Sequence, residues 1–266
     1  MTILGDILLR VRGKILQSQR MTDAALVPMQ AFRGGVRRFG PDTRSFTVPS
    51  VGGLTFRTET GDEIRHFWPV YNELDNLTQF ASDLRPNDVV FDVGAHVGVY
   101  SVTAARADVS EVYAFEPLPA NVERVRENAT LNGVDVRTFG CGLSDRTTTQ
   151  GNVVGGSKSG SLLHISPDGN GDETVPLYRG EDIVTRHDLP LPTVVKLDIE
   201  GAELRALEGL DGVLEECRLI HCEVSERLAP FGDSPARLHN WLTDRGFAIE
   251  SLGRGGVGHG DIRAIR

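Results

Sequence analysis

Short continuous apolar runs alternate with stretches of helical spacing along most of this chain. Leu4, Leu8, Val11 and Ile15 recur at helical spacing with Arg10, Lys14 and Arg20 among them, so residues 1–20 predict an amphipathic helix. Residues 21–43 carry Gly and Arg and read as a connector. SFTVPS and LTFRTE, on either side of Gly52-Gly53, predict a hairpin. YNELDNLTQFASDL predicts a helix ending before Arg85-Pro86. Val89-Val90-Phe91 then forms the short, wholly apolar run of a buried parallel strand, Gly94 and Gly98 mark a turn, and helical spacing resumes from Val99 to Ala107. The unit repeats: VYAFEP predicts a strand, NVERVRENATLNG a helix closed by Gly133, and VDVRTFGCGLS a third strand. Gly, Ser and Thr dominate 146–175, which predicts a long excursion with one or two short strands, SLLHIS and VPLYRG. Alternation returns with TVVKLDIE, GAELRALEGL, RLIHCEVSE and SPARLHNWLTDRG, and FAIESLG and DIRAIR close the chain as a strand pair.

Strands that alternate with helices predict an α/β fold with a doubly wound sheet. The closing pair has too short a connection to be parallel, because a parallel crossover needs about a dozen residues or more. The expectation is therefore seven strands, mostly parallel, with an antiparallel last strand. The chain divides into a helix and connector over 1–43, a hairpin and lead-in over 44–74, and a main domain over 75–266 with its excursion at 146–190.

Composition narrows the function classes. Of the 28 basic residues 25 are Arg and 3 are Lys, and the net charge is −9, so a general nucleic-acid binder with a basic face is not expected. The arginine bias fits a GC-rich genome or a salt-adapted cytoplasm and says nothing of the reaction. Cys141, Cys217 and Cys222 form no C-x-x-C pair and lie in or beside apolar runs, which predicts buried thiols in a reducing compartment. No run reaches 18 apolar residues, and a cytoplasmic protein is expected. The basic helix over 1–20 has two readings, packing on the main domain or a partner and contact with a membrane surface. Residues 1–43 are also placed to form a homodimer contact.

The chemistry concentrates after the first parallel strand. In a doubly wound sheet ligands bind at the carboxyl ends of the strands, near the switch point. Gly94 allows a tight turn there and leaves the backbone open to a ligand, while the helix opened by Gly98 presents its amides. Asp92 is placed to meet a cation, and Glu116, ending the second strand, to accept both hydroxyls of a ribose. A dinucleotide prefers G-x-G-x-x-G, but here His96 stands where a glycine meets pyrophosphate. S-adenosylmethionine has no phosphate and carries an ammonium, so it suits this turn better.

FDVGAHVGVYS, AFEPLPANVERVRENATLNG and VVKLDIEGAELRALEGL together resemble the FkbM family of S-adenosylmethionine-dependent methyltransferases, over about residues 70–225. The most specific piece runs from Lys196 to Glu203. The resemblance implies the Rossmann-like class I methyltransferase fold and, usually, O-methylation. It also implies cofactor contacts from Asp92, Gly94, Ala95, His96 and Gly98, the ribose on Glu116, and adenine near the turn that holds Ser144 and Asp145. The family commonly has Asn where this chain has His96.

Four residues at the ends of the fourth and fifth strands are candidates for removing a proton from an acceptor hydroxyl. Asp198 and Glu200 leave the fourth strand, where alternation puts them on one side of an extended segment. Their alternative role is to cap the following helix, with Glu203 in its first turn. Lys196 is expected to pair with one of these carboxylates. His221 and Glu223 end the fifth strand; the plainer reading of His221 is a hydrogen-bonded core residue. A metal held by these four is conceivable but is not required by their spacing, and none is expected. The chain lacks the Asn-Pro-Pro-Tyr type of motif suited to base amines, which favours a small-molecule or glycan acceptor and O-methylation of a sugar, glycan lipid or secondary metabolite. The competing functions are an NAD-dependent oxidoreductase and a non-catalytic binding module on the same sheet.

Overall fold

The computed structural model describes residues 42–58, 74–154, 164–166, 171, 173–252 and 260–266. Strands β1 (Thr43–Val48) and β2 (Gly52–Arg57) form the hairpin, and helix α1 spans 74–83. Strand and helix then alternate as β3 (Val89–Val93), α2 (Val99–Arg106), β4 (Glu111–Phe115), α3 (Pro119–Leu131) and β5 (Arg137–Phe139). Four short strands follow: β6 (Gly142–Ser144), β7 (Thr148–Val154), β8 (His164–Ile165) and β9 (Glu173–Arg179). Helix α4 (Gly180–His187) leads to β10 (Val194–Leu197), α5 (Glu203–Leu210), β11 (Leu219–Val224), a 3₁₀ segment (Glu226–Phe231), α6 (Pro235–Asp244), β12 (Ala248–Leu252) and β13 (Gly260–Ile265). The expected helix over 1–20, its connector as far as 41 and the lead-in 59–73 lie outside the described residues. Among the described residues no helix is long and apolar enough to cross a membrane.

The main sheet has seven strands in the order β12-β13-β11-β10-β3-β4-β5. β3, β4, β5, β10 and β11 are parallel, and β13 lies antiparallel between β11 and β12. The chain builds outward from β3 to β5, then returns to β10 on the other side of β3. The switch point is therefore at the carboxyl ends of β3 and β10, where a crevice opens in sheets of this kind.

Period-two alternation sends the two faces of each central strand into different cores. Phe91, Val93, Phe115, Leu197, Ile220 and Cys222 face α5 and α6 through Leu204, Leu207, Leu238 and Leu242. Val90, Ala114, Val194 and Leu219 face α2, α3 and the hairpin. Asp92, Lys196 and His221 are register partners along the sheet and share this second face, so an otherwise apolar layer carries a buried polar stripe. Phe80 of α1 covers it, 5.2 Å from the His221 ring and 5.1 Å from Tyr100 (ring centroids).

Three expectations from the sequence change. The hairpin is no separate lead-in: Val48, Leu54 and Phe56 are fully buried in the second core, and the compact unit begins at Thr43. Its edge backbone is satisfied by α3, where Asn132 accepts from Thr55 N (2.9 Å) and donates to Thr55 O (2.7 Å), and Asn128 accepts from Arg57 N (2.9 Å). VDVRTFGCGLS is not one strand. The Cys141 amide turns back to the Phe139 carbonyl (2.9 Å), and the chain leaves the main sheet after three residues. It continues as β6, which packs on α5 so closely that a Cβ on Gly209 would lie 1.9 Å from the Ser144 carbonyl oxygen. The 146–190 excursion holds more than the two short strands expected: besides β8 in SLLHIS and β9 in VPLYRG it contains β7. β7 and β9 pair antiparallel and, with β6 and β8, make a second, four-stranded sheet; α4 then supplies the crossover to β10.

Candidate active site

The turn after β3 is tied to β4 by its own amides. Gly94 and Ala95 both donate to the Phe115 carbonyl (3.0 and 3.2 Å), and His96 N donates to Glu116 Oε2 (2.9 Å). Glu116 Oε1 accepts from Leu118 N (3.0 Å) and Asn121 Nδ2 (3.3 Å). The carboxylate thus staples the first two strand ends together before any ligand arrives. Burial pushes Glu116 up to about 7, against the pull of these donors. Asp92, within β3, is buried as well; its carboxylate accepts from the Ser101 hydroxyl on α2, and burial pushes it up to about 6 although the Ser101 hydrogen bond and the Lys196 charge oppose this.

The glycines of the turn serve the chain's own packing. Gly94 has φ +87°, and a Cβ there would lie 2.0 Å from the Asp198 carbonyl oxygen and 2.7 Å from Ile199 Cγ2. Its bare Cα admits the end of β10, a packing need that adds to the expected role beside a ligand. Gly98, at φ +85°, caps α2, and a Cβ there would press on Val125 of α3 at 3.1 Å. His96 itself sits at φ +50°, a left-handed position at which Asn is among the more tolerated residues.

Asp198 N donates to the Val93 carbonyl (3.1 Å), which fixes the end of β10 against the turn. The segment beyond is not extended, as alternation predicts. Glu200 has φ +58° and Gly201 φ +116°, and Glu203 reaches back so that its Oε1 accepts from Ile199 N (3.2 Å) and Gly201 N (3.0 Å). Glu203, and neither Asp198 nor Glu200, therefore braces the start of α5, whose N-cap is Ala202. The turn still gathers Asp198 and Glu200 with Glu223 of β11: carboxylate oxygens from all three lie within 4.8 Å of one another. The cations this acidic group faces are the protein's own. Lys196 Nζ is 3.6 Å from Asp198, and Arg227 of the 3₁₀ segment pairs with Glu200. Burial, and then the charge of Asp198, push Glu223 up to about 8.

His221 does not join them. It is buried, its Nε2 lies 3.1 Å from Asp83 Oδ2, and burial pushes its pKa down. This is the core role, and it removes His221 from both the base candidates and the conceivable metal set. Ser144 is buried at the end of β6 with its hydroxyl donating to Asp145 Oδ1 (2.9 Å), and Asp145 is exposed. Sequence reasoning missed Ser101, Asn121 and Arg227. Ser101 and Asn121 lie nine and five residues beyond their acidic partners, each in the helix that follows the acid's strand, a usable signal, whereas Arg227 reaches Glu200 only through the fold.

A reversed strand inserted beside the end of a doubly wound sheet, with acidic residues ending its first two strands around a glycine turn, defines the class I methyltransferases. The model of the methyltransferase FkbM domain matches residues 92–249, and the chain belongs to that family. It is similar to the hexuronic acid methyltransferase AglP of Haloferax volcanii, at 25% identity over 70% of this chain and 77% of that protein. It is also similar to methyltransferase sdnD of Sordaria araneosa (28% identity, 68% and 82%) and to the 31-O-demethyl-FK506 methyltransferase FkbM of Streptomyces tacrolimicus (26%, 48% and 62%).

Proposed function

We propose that this methyltransferase uses the site at Asp92, Gly94, Ala95, His96, Gly98 and Glu116 to bind S-adenosylmethionine and transfers its methyl group to a hydroxyl of a sugar or other small molecule. The observation that carries the reading is the docking of β10 on the glycine turn, which sets Asp198, Glu200 and Glu223 beside the place where the methyl donor would lie. The donor set fits that cofactor. Two buried carboxylates suit a ligand with an ammonium and paired hydroxyls, and His96 stands where a dinucleotide site has a glycine against the pyrophosphate. When bound, S-adenosylmethionine supplies a methyl group on a sulfonium. The chain's part is to orient the acceptor hydroxyl and take its proton at a carboxylate oxygen. Two relatives named for a hexuronic acid and for a 31-O position support oxygen as the acceptor atom.

Calorimetry with S-adenosylhomocysteine tests the cofactor site. Glu116→Ala is expected to weaken binding at least tenfold, about 1.4 kcal/mol. An unchanged affinity removes the ribose assignment, and binding of NAD alone removes the cofactor itself. The wild-type affinity should also fall about tenfold from pH 8 to pH 6, because Glu116 takes up a proton near 7 and the neutral acid accepts from the ribose hydroxyls more weakly and through one oxygen fewer. Glu116→Ala should flatten that profile; a flat wild-type profile contradicts it.

A further inference from the structure

Between the second sheet and the start of α5 lies a cavity of about 260 Å³. One wall comes from Ser144, Thr148, Gln150 and Leu177, the other from Ala202, Arg205 and Phe231. The second wall continues into the turn that carries Glu200, since a Cβ on Gly201 would lie 3.1 Å from Phe231 Cε2. Ala202 of that wall stands two residues after Glu200 of the acidic cluster. The cavity is just smaller than the roughly 300–1,000 Å³ of sites for drug-sized ligands, a size for a single sugar ring.

Its charge runs against that of the molecule. The protein carries −9, yet the two charged residues that line the cavity are Arg146 and Arg205, with no acid among the described lining residues. Arg205 is held in place: its guanidinium lies 5.1 Å from the Phe231 ring centroid and its Nη2 donates to the Phe231 carbonyl (3.2 Å). Arg146 is exposed and forms no salt bridge with any described residue. An arginine with fork geometry fixed beside an aromatic ring, and a second that pairs with no carboxylate among the described residues, suit a planar anion. Thr148 and Gln150 add hydrogen-bonding groups for hydroxyls, and Phe231 and Leu177 an apolar floor.

We propose that this cavity is the acceptor pocket and that Arg146 and Arg205 bind the carboxylate of a uronic-acid-type sugar, placing a ring hydroxyl toward the Asp198–Glu200–Glu223 cluster. The assignment rests on the methyl-transfer reading, and the test separates the two. Methyl β-glucuronide, methyl β-glucoside and glucose 1-phosphate are titrated into the protein with and without S-adenosylhomocysteine. The glucuronide should bind at least tenfold tighter than the neutral glucoside. Arg146→Gln and Arg205→Gln should each weaken it at least tenfold while leaving the affinity for S-adenosylhomocysteine unchanged, and Arg146→Gln should leave the melting temperature unchanged as well. Arg205→Lys, which keeps the charge and loses the fork, should fall between. Equal binding of the two glycosides, no binding of either, or wild-type affinity in both Arg→Gln variants overturns the proposal; tighter binding of the sugar phosphate overturns the carboxylate. Glucuronide binding without any S-adenosylhomocysteine binding would sink the cofactor reading and leave the arginine pocket standing.

Discussion

Gly94→Ala is expected to lower the melting temperature by about 10 °C and to weaken binding of S-adenosylhomocysteine by more than tenfold. Two costs add at this position. A left-handed backbone costs an L-residue about 1–2 kcal/mol, and an extra methyl in a packed interior about 1–3 kcal/mol. Here the methyl would stand 2.0 Å from the Asp198 carbonyl oxygen, so β3 and β10 must part for it to fit. A total near 3 kcal/mol is a sizeable part of the roughly 5–15 kcal/mol that holds a domain together, and each kcal/mol moves the midpoint by about 2–4 °C at this size. Gly133→Ala separates the two costs. Gly133 also has positive φ (+63°), but nothing lies within 4 Å of a Cβ there, so only the backbone term applies and the shift should be less than half as large. Equal shifts in the two variants would mean that the contact with β10 yields freely and does not hold the site together.

That contact also marks where the sequence stops being legible. Val89-Val90-Phe91 reads as a buried strand because parallel strands covered on both faces need continuous apolar residues, and the closing pair reads as antiparallel because its connection is too short for a crossover. The carboxylates Asp92 and Glu116 are legible because each lies at a strand end beside a turn. What is hidden depends on partners distant in the chain. That Gly94 also has to admit Asp198, about a hundred residues on, cannot be read from the turn itself. Glu200 is expected on an extended segment because alternation is the default for a strand; Gly201 and the two amides held by Glu203 instead curl it over. The second sheet is hidden in part, for a further reason. SLLHIS and VPLYRG do announce β8 and β9, but β7 (TTQGNVV) is polar around Gly151 and gives Val153 to a small core with Val175 and Leu177, so it carries little of the apolar pattern that announces a strand.

Asp198→Asn should lower turnover at least a hundredfold with affinity for S-adenosylhomocysteine within threefold of wild type, whereas Glu223→Gln should keep turnover within threefold. The split follows from where the proton sits. Glu223 is pushed up to about 8 by burial and by Asp198, so near neutral pH it holds its proton and is the donor in its hydrogen bond to Asp198. Glutamine reproduces that neutral donor. Asp198 accepts from it and has the Lys196 ammonium 3.6 Å away, and Lys196 is itself held charged: burial would lower it, but the charge of Asp198 outweighs this. On the proposed hydroxyl chemistry Asp198, with Glu223 protonated beside it, is the carboxylate that takes the proton of the acceptor, a step worth about 10²–10⁴ in rate. Asparagine cannot take it, and the cofactor turn, fixed by the backbone of residue 198, remains in place. Above pH 8 Glu223 loses its proton and a second negative charge faces Asp198, so wild-type turnover should change there while that of Glu223→Gln stays level. Full turnover in Asp198→Asn, or a hundredfold loss in Glu223→Gln, would reverse the assignment and make Glu223 the base.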